Sequence, residues 1–102
     1  MAKSIMHNKA DRTCYLCMLL NGDYSTRTGL QAHHAMPGTA NRRLSEQYGL
    51  KVYLCLQHHT AGPMAVHNNA GLRDMVKGKA QAAFEGVYSH EKWMAVFGKN
   101  YL

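Results

Sequence analysis

Two short pairs of soft metal ligands constrain this chain more than anything else in it. Cys14 and Cys17 stand two residues apart, and so do Cys55 and His58. Each pair can sit on one tight turn and present two ligand atoms to one ion. Together they make a Cys3His quartet, which suits tetrahedral zinc and leaves no coordination position open. All three cysteines of the chain, and five of its seven histidines, lie in these pairs or close by in His33-His34, His58-His59 and His67. With 102 residues there is room for one domain with a modest core, and a bound ion supplies folding energy that such a core lacks. An odd cysteine count argues against a disulfide framework, so the thiols are expected free for structural Zn2+.

Four clustered histidines remain once the quartet is filled: His33, His34, His59 and His67. On a strand, adjacent side chains point to opposite faces. One of His33 and His34 can therefore bind an ion while the other faces away, free to act as a base. His59 adjoins the quartet and is held by it, and His67 can return to the cluster after the Gly62-Pro63 break. Three imidazoles with positions left open make a site for chemistry rather than for folding. The ion could be Zn2+, Mg2+, Mn2+ or Ni2+.

The charge is +6, from 12 basic and 6 acidic residues. That excess favours a polyanionic partner, nucleic acid above all, over a membrane surface. No apolar run approaches the ~20 residues needed to span a bilayer, and Met1–Arg12 has none of the character of a secretory leader.

Along the chain, residues 1–12 read as a flexible basic tail and 13–102 as the domain. Residues 13–22 read as a compact turn holding Cys14 and Cys17. Residues 28–36 and 50–55 read as strands, the first carrying the histidine pair. Residues 41–49 read as a short helix with Asn41 as N-cap and Gly49 just past its end. The apolar spacing of Leu72, Met75, Val76, Ala80, Ala83, Phe84 and Val87 predicts a helix over 70–88. Ser89 caps a last helix over 90–97, which Gly98 stops. His7 and His90 read as surface histidines. The fold class expected is α+β.

The Cys-x-x-Cys knuckle, the strand bearing His33-His34, and Leu54-Cys55 followed by His58-His59 and His67 resemble the HNH (ββα-metal) nucleases. Tyr48 to Cys55, Val66-His67-Asn68-Asn69, Gln81, Phe84-Glu85 and Phe97 to Leu102 are similar to the phage recombination-enhancement, RecA-dependent group within them. The resemblance covers residues 13–102. It implies a small treble-clef ββα-metal domain with C-terminal helices. It implies a DNA endonuclease, phage or prophage encoded, working in the bacterial host cytoplasm with a recombinase filament such as RecA as partner.

It also assigns His34 as general base and His33, His59 and His67 as ligands of one catalytic divalent metal, leaving 5′-phosphate and 3′-hydroxyl ends. Many members carry Asn where this chain has Leu50, so the residue that orients His34 has to come from elsewhere; Asn41 and Asn68 are the candidates. Arg42 and Arg43, between the strands, are placed to clamp DNA phosphates. The other reading of the same residues is a non-catalytic, zinc-stapled nucleic-acid-binding module, and a third is a protein-interaction adaptor.

Overall fold

The computed structural model describes residues 3–102; Met1 and Ala2, the start of the expected tail, lie outside the described residues. The first helix, α1 (Tyr15–Asn21), starts directly after Cys14 and ends where Gly22 turns left-handed at φ 63°. Tyr15–Asn21 are therefore helical where a compact turn over 13–22 was expected. Cys14 at the N-cap and Cys17 one turn on still face the same way, because helical residues three apart share a side.

Strands β1 (Gln31–His34) and β2 (Lys51–Leu54) pair antiparallel, with His33 opposite Val52 and His34 opposite Lys51. Both are shorter than the sequence suggested. Pro37 and Gly38 follow β1, and Gly38 is the N-cap of α2 (Thr39–Tyr48). That places Asn41 inside the first turn of α2, and corrects its expected role as cap. The helix ends at Gly49, with φ 70°. A Cβ at Gly49 would also collide with the carbonyl of Lys3.

That contact belongs to a finding the sequence did not foreshadow. Where a free tail was expected, residues 4–7 lie along the outer edge of β2. The Ile5 amide donates to Gly49 O, the Ser4 hydroxyl donates to Lys51 O, and the Tyr53 amide donates to Nδ1 of His7. These bonds satisfy backbone groups that an open strand edge would leave exposed. His7, expected on the surface, is 6% exposed, with Nε2 3.2 Å from the Thr13 hydroxyl.

After β2 a single π-helical turn (Gln57–Ala61) carries His58 and His59. Helix α3 (Ala70–Val87) is capped by Asn69, whose side chain accepts from the Leu72 amide, and α4 (His90–Phe97) by Ser89, which accepts from the Lys92 amide. Leu72, Val76, Ala80 and Phe84 are buried at four-residue spacing, while Val87, counted on that face, is exposed. The core joins Leu16, Leu50, Val52, Leu54, Val66, Val76, Phe84 and Trp93. Leu50 is fully buried among them, an apolar environment that leaves no opening for an orienting amide at that position.

The C-terminal stretch is fastened by polar groups inside the core. Gln81 donates to the Asn100 side chain and accepts from the Tyr101 amide, both at 2.7 Å, and the Trp93 indole donates to Lys99 O. The architecture is thus α+β, a two-stranded sheet packed with helices. No helix among the described residues is long and apolar enough to cross a membrane.

Candidate metal centres

The quartet is assembled from the start of α1 and the turn after β2. His58 Nδ1 lies 3.6 Å from Cys14 Sγ, 3.3 Å from Cys17 Sγ and 3.4 Å from Cys55 Sγ, and the Cys17 and Cys55 sulfurs are 3.9 Å apart. A regular tetrahedron around zinc, with about 2.3 Å to sulfur and about 2.0–2.1 Å to nitrogen, has edges of about 3.8 Å between sulfurs and about 3.6 Å between sulfur and nitrogen. The observed spacings match those edges and exclude a disulfide, whose sulfurs touch at about 2.05 Å. Cys14, Cys17, Cys55 and His58 are therefore close enough together to bind one metal ion.

Electrostatics agree with the geometry. Burial, reinforced by the neighbouring thiols Cys14 and Cys55, pushes the Cys17 thiol up to about 12. Cys55 is also opposed by burial, but its thiol is lowered overall by the amides of His58 and Gln57 and by the other two sulfurs. Three sulfurs so close together can all be thiolates only around a cation. Burial, and then Arg27, lower the pKa of His58, so its imidazole is neutral. The Cys17 sulfur, and to a lesser extent Asp23 and Cys55, raise the Arg27 pKa; the Arg27 terminal nitrogen donates to Asp23 at 2.8 Å, and its charge can offset part of the negative charge that three thiolates bring.

The second cluster is made by β1, the π-helical turn and the loop that follows. Consecutive residues on that turn diverge, so His58 enters the sulfur site while His59 points to the other. The Val66 amide donates to His58 O and the His67 amide to His59 O, which folds the loop back and returns His67 beside His59. Arg73 pins the same loop through Val66 O at 3.0 Å. The Nε2 atoms of His59 and His67 are 3.1 Å apart, and the ligand nitrogens of His33, His59 and His67 all lie within 4.8 Å of one another. That is the spacing of imidazoles that can share one ion.

His33 is 4% exposed, and burial, with the surrounding His67, His59, His34 and Arg73, lowers its pKa to about 4. The His59 pKa is lowered by burial and by His67. Neutral rings of this kind offer lone pairs to a cation. Nδ1 of His59 is hydrogen-bonded to the side-chain amide oxygen Oε1 of Gln31, which makes Nδ1 the protonated nitrogen and leaves Nε2 as the ligand. Gln31 was missed in the sequence, although its place two residues before His33 on one strand face was a usable signal.

His33, His34, His59, His67, Gly38 and Arg42 line one open pocket of about 450 Å³. His34 Nε2 is 2.9 Å from Glu46 Oε2, and Glu46 Oε1 is 3.0 Å from Lys51 Nζ. Glu46, another residue missed in the sequence, is thus what orients His34. This corrects both candidates for that role. Asn68 donates to Thr60 O at 2.8 Å and Gly62 O at 3.1 Å and so holds the π-helical turn, and Asn41 lies on α2 without a bond to His34. Of the two arginines, Arg42 reaches the pocket, while Arg43 is exposed outside its lining.

Set against known proteins, the chain matches no family model, no curated protein and no solved structure.

Proposed function

We propose that the chain is a metal-dependent DNA endonuclease of HNH type. The observation that supports this reading is the shared pocket: three imidazoles gathered as one ligand set, with His34 and Arg42 on the same walls. A purely structural zinc module has no use for the second cluster.

The chemistry follows from the hydrogen bonds. With Nε2 of His34 donating to the Glu46 carboxylate, the lone pair that can accept a proton is on Nδ1. That nitrogen takes the proton of a water attacking phosphorus, and the Glu46 carboxylate stabilises the imidazolium that forms. Glu46 stays ionised, because His34 and then Lys51 lower its pKa. Arg42 holds a non-bridging phosphate oxygen. His33, His59 and His67 would hold the divalent ion, which supplies charge stabilisation for the phosphate and its leaving oxygen. The Cys3His site is read as structural zinc and the surrounding arrangement as a treble clef. The same resemblance extends the proposal to a phage or prophage origin, action on DNA in the bacterial cytoplasm and work beside a RecA-type filament.

Nicking of supercoiled plasmid with Mg2+, Mn2+, Zn2+ or Ni2+ tests the reading, with native protein and His34→Ala side by side. Native protein is expected to nick and the variant to bind without nicking. DNA binding with no nicking under any of the ions would favour the zinc-stapled binding module instead.

A further inference from the structure

The second region of interest lies beyond Lys51, on the face of the sheet that carries His34. Lys51 and Tyr53 are two residues apart on β2 and point the same way, and Lys51 stands opposite His34 in the ladder. Next to them two hollows adjoin. One, of about 830 Å³, is lined by residues that include Lys3, Lys9, Arg12, Lys51 and Tyr53. The other, of about 300 Å³, shares Lys9, Arg12 and Tyr53 and adds Arg27. The shared residues make them one trough, with the Tyr53 ring in its wall.

The trough is built rather than incidental. Arg12 is the one described residue other than glycine with positive φ, at 55°, a conformation uncommon for such a side chain. It is held there by two backbone bonds, Arg12 N to Lys9 O at 3.2 Å and Arg27 N to Arg12 O at 2.7 Å. The docking of residues 4–7 on β2 sets the position of this whole wall.

Its charge is also uncommitted. Lys51 is paired with Glu46 and Arg27 with Asp23. Among the described residues Lys3, Lys9 and Arg12 form no ion pair, although the exposed carboxylate of Asp11 is on the same turn.

We infer that this trough is a binding path for a single strand of nucleic acid, with phosphates on Lys3, Lys9 and Arg12 and a base against Tyr53. Unpaired cations beside an aromatic ring are the combination that single strands use, since every base has a face to stack and every nucleotide a charge. A lipid surface would need a flat apolar face, which a walled trough does not offer. The inference goes beyond the nuclease reading and rests on it only in sharing the strand with the His34 pocket.

The test is fluorescence anisotropy of a labelled 12-nucleotide oligothymidine with zinc-loaded, full-length His34→Ala protein. The comparison is with the same protein carrying Lys9→Gln and Arg12→Asn, asparagine being tolerant of the left-handed backbone. The expected result is at least tenfold weaker binding, and a log-log salt slope shallower by about 1.4, the effect of two lost phosphate contacts. A control with Lys79→Gln and Lys99→Gln removes equal charge elsewhere and is expected to change affinity less than threefold. A Tyr53→Leu variant, expected to weaken binding threefold or more, guards against misfolding of the Arg12 turn.

Unchanged affinity in the trough variants would overturn the inference. So would an equal loss in the control, tighter binding of a duplex of the same length, or preferential retention on phosphatidylserine vesicles. Strand binding without plasmid nicking by native protein would leave the trough standing and remove the nuclease reading. Nicking with undiminished binding in the trough variants would do the reverse.

Discussion

His34 and Glu46 form the central pair of the candidate site: Nε2 of one lies 2.9 Å from Oε2 of the other, and the second carboxylate oxygen is held by Lys51. The bond assigns the tautomer of His34 and the direction in which its free nitrogen points. A carboxylate on α2 thereby governs an imidazole on β1 directly, while its other oxygen is held by a lysine that faces the imidazole across the sheet.

Replacing the carboxylate by an amide separates orientation from charge. Glu46→Gln retains an oxygen that accepts from His34 but loses the charge that stabilises its protonated form. Plasmid nicking is expected to slow about 10–100-fold, the range seen when groups behind functional side chains are removed, with oligonucleotide affinity within twofold of native. Native rates in this variant would remove Glu46 from the mechanism.

The sulfur site is expected to decide whether the chain folds. Structural zinc contributes about 10–16 kcal/mol at neutral pH, as much as the whole stability of about 5–15 kcal/mol of an ordinary domain. Cys14→Ser is therefore expected to abolish cooperative thermal unfolding, and excess chelator to do the same to native protein. Circular dichroism with metal analysis checks it. A chelated protein with native spectrum and unchanged melting would refute the assignment.

The two clusters are expected to lose metal independently. Under saturating metal, His59→Ala is expected to retain one ion per chain where native protein holds two. Gln31→Ala is expected to weaken the second ion about 10–100-fold, because Nδ1 of His59 loses the partner that fixes its tautomer. Mass spectrometry under native conditions reads both. A single ion in native protein would dispose of the second centre.

Acid is expected to loosen the N-terminal segment through His7. Burial holds the folded His7 pKa below its ordinary value of 6.5, against a smaller opposing pull from Asp11. The unfolded chain therefore takes up the proton first. Stability from His7 is fully present above 6.5 and is lost as pH falls below that value towards the lower folded pKa. Protonation at Nδ1 also breaks the bond from the Tyr53 amide. In urea titrations at pH 7.5 and 5.5, native protein is expected to lose more stability than His7→Gln, which has nothing to titrate there. Equal losses would show that His7 is not the group responsible.

The features readable in advance were those fixed by neighbours in the chain. Cys14 with Cys17, and Cys55 with His58, are each set by a spacing that one turn of backbone converts directly into a shared direction. Helices α3 and α4 announced themselves by apolar period and, for α4, by the capping side chain of Ser89, which acts within three residues. Strand ends and the first turn of α2 were less legible, because pairing rather than local preference decides where a strand stops.

What the sequence determined by itself, then, was the ligand inventory and the local geometry of each pair, since those depend on bonds spanning a few residues. Tertiary structure decided which distant groups meet: Glu46 with His34, Gln31 with His59, and His7 with Tyr53. Strand register, the fold-back of the 62–67 loop and the docking of residues 4–7 on β2 bring those partners together. Apart from the strand face that Gln31 shares with His33, no residue type or spacing encodes these meetings, because they result from packing the whole core at once.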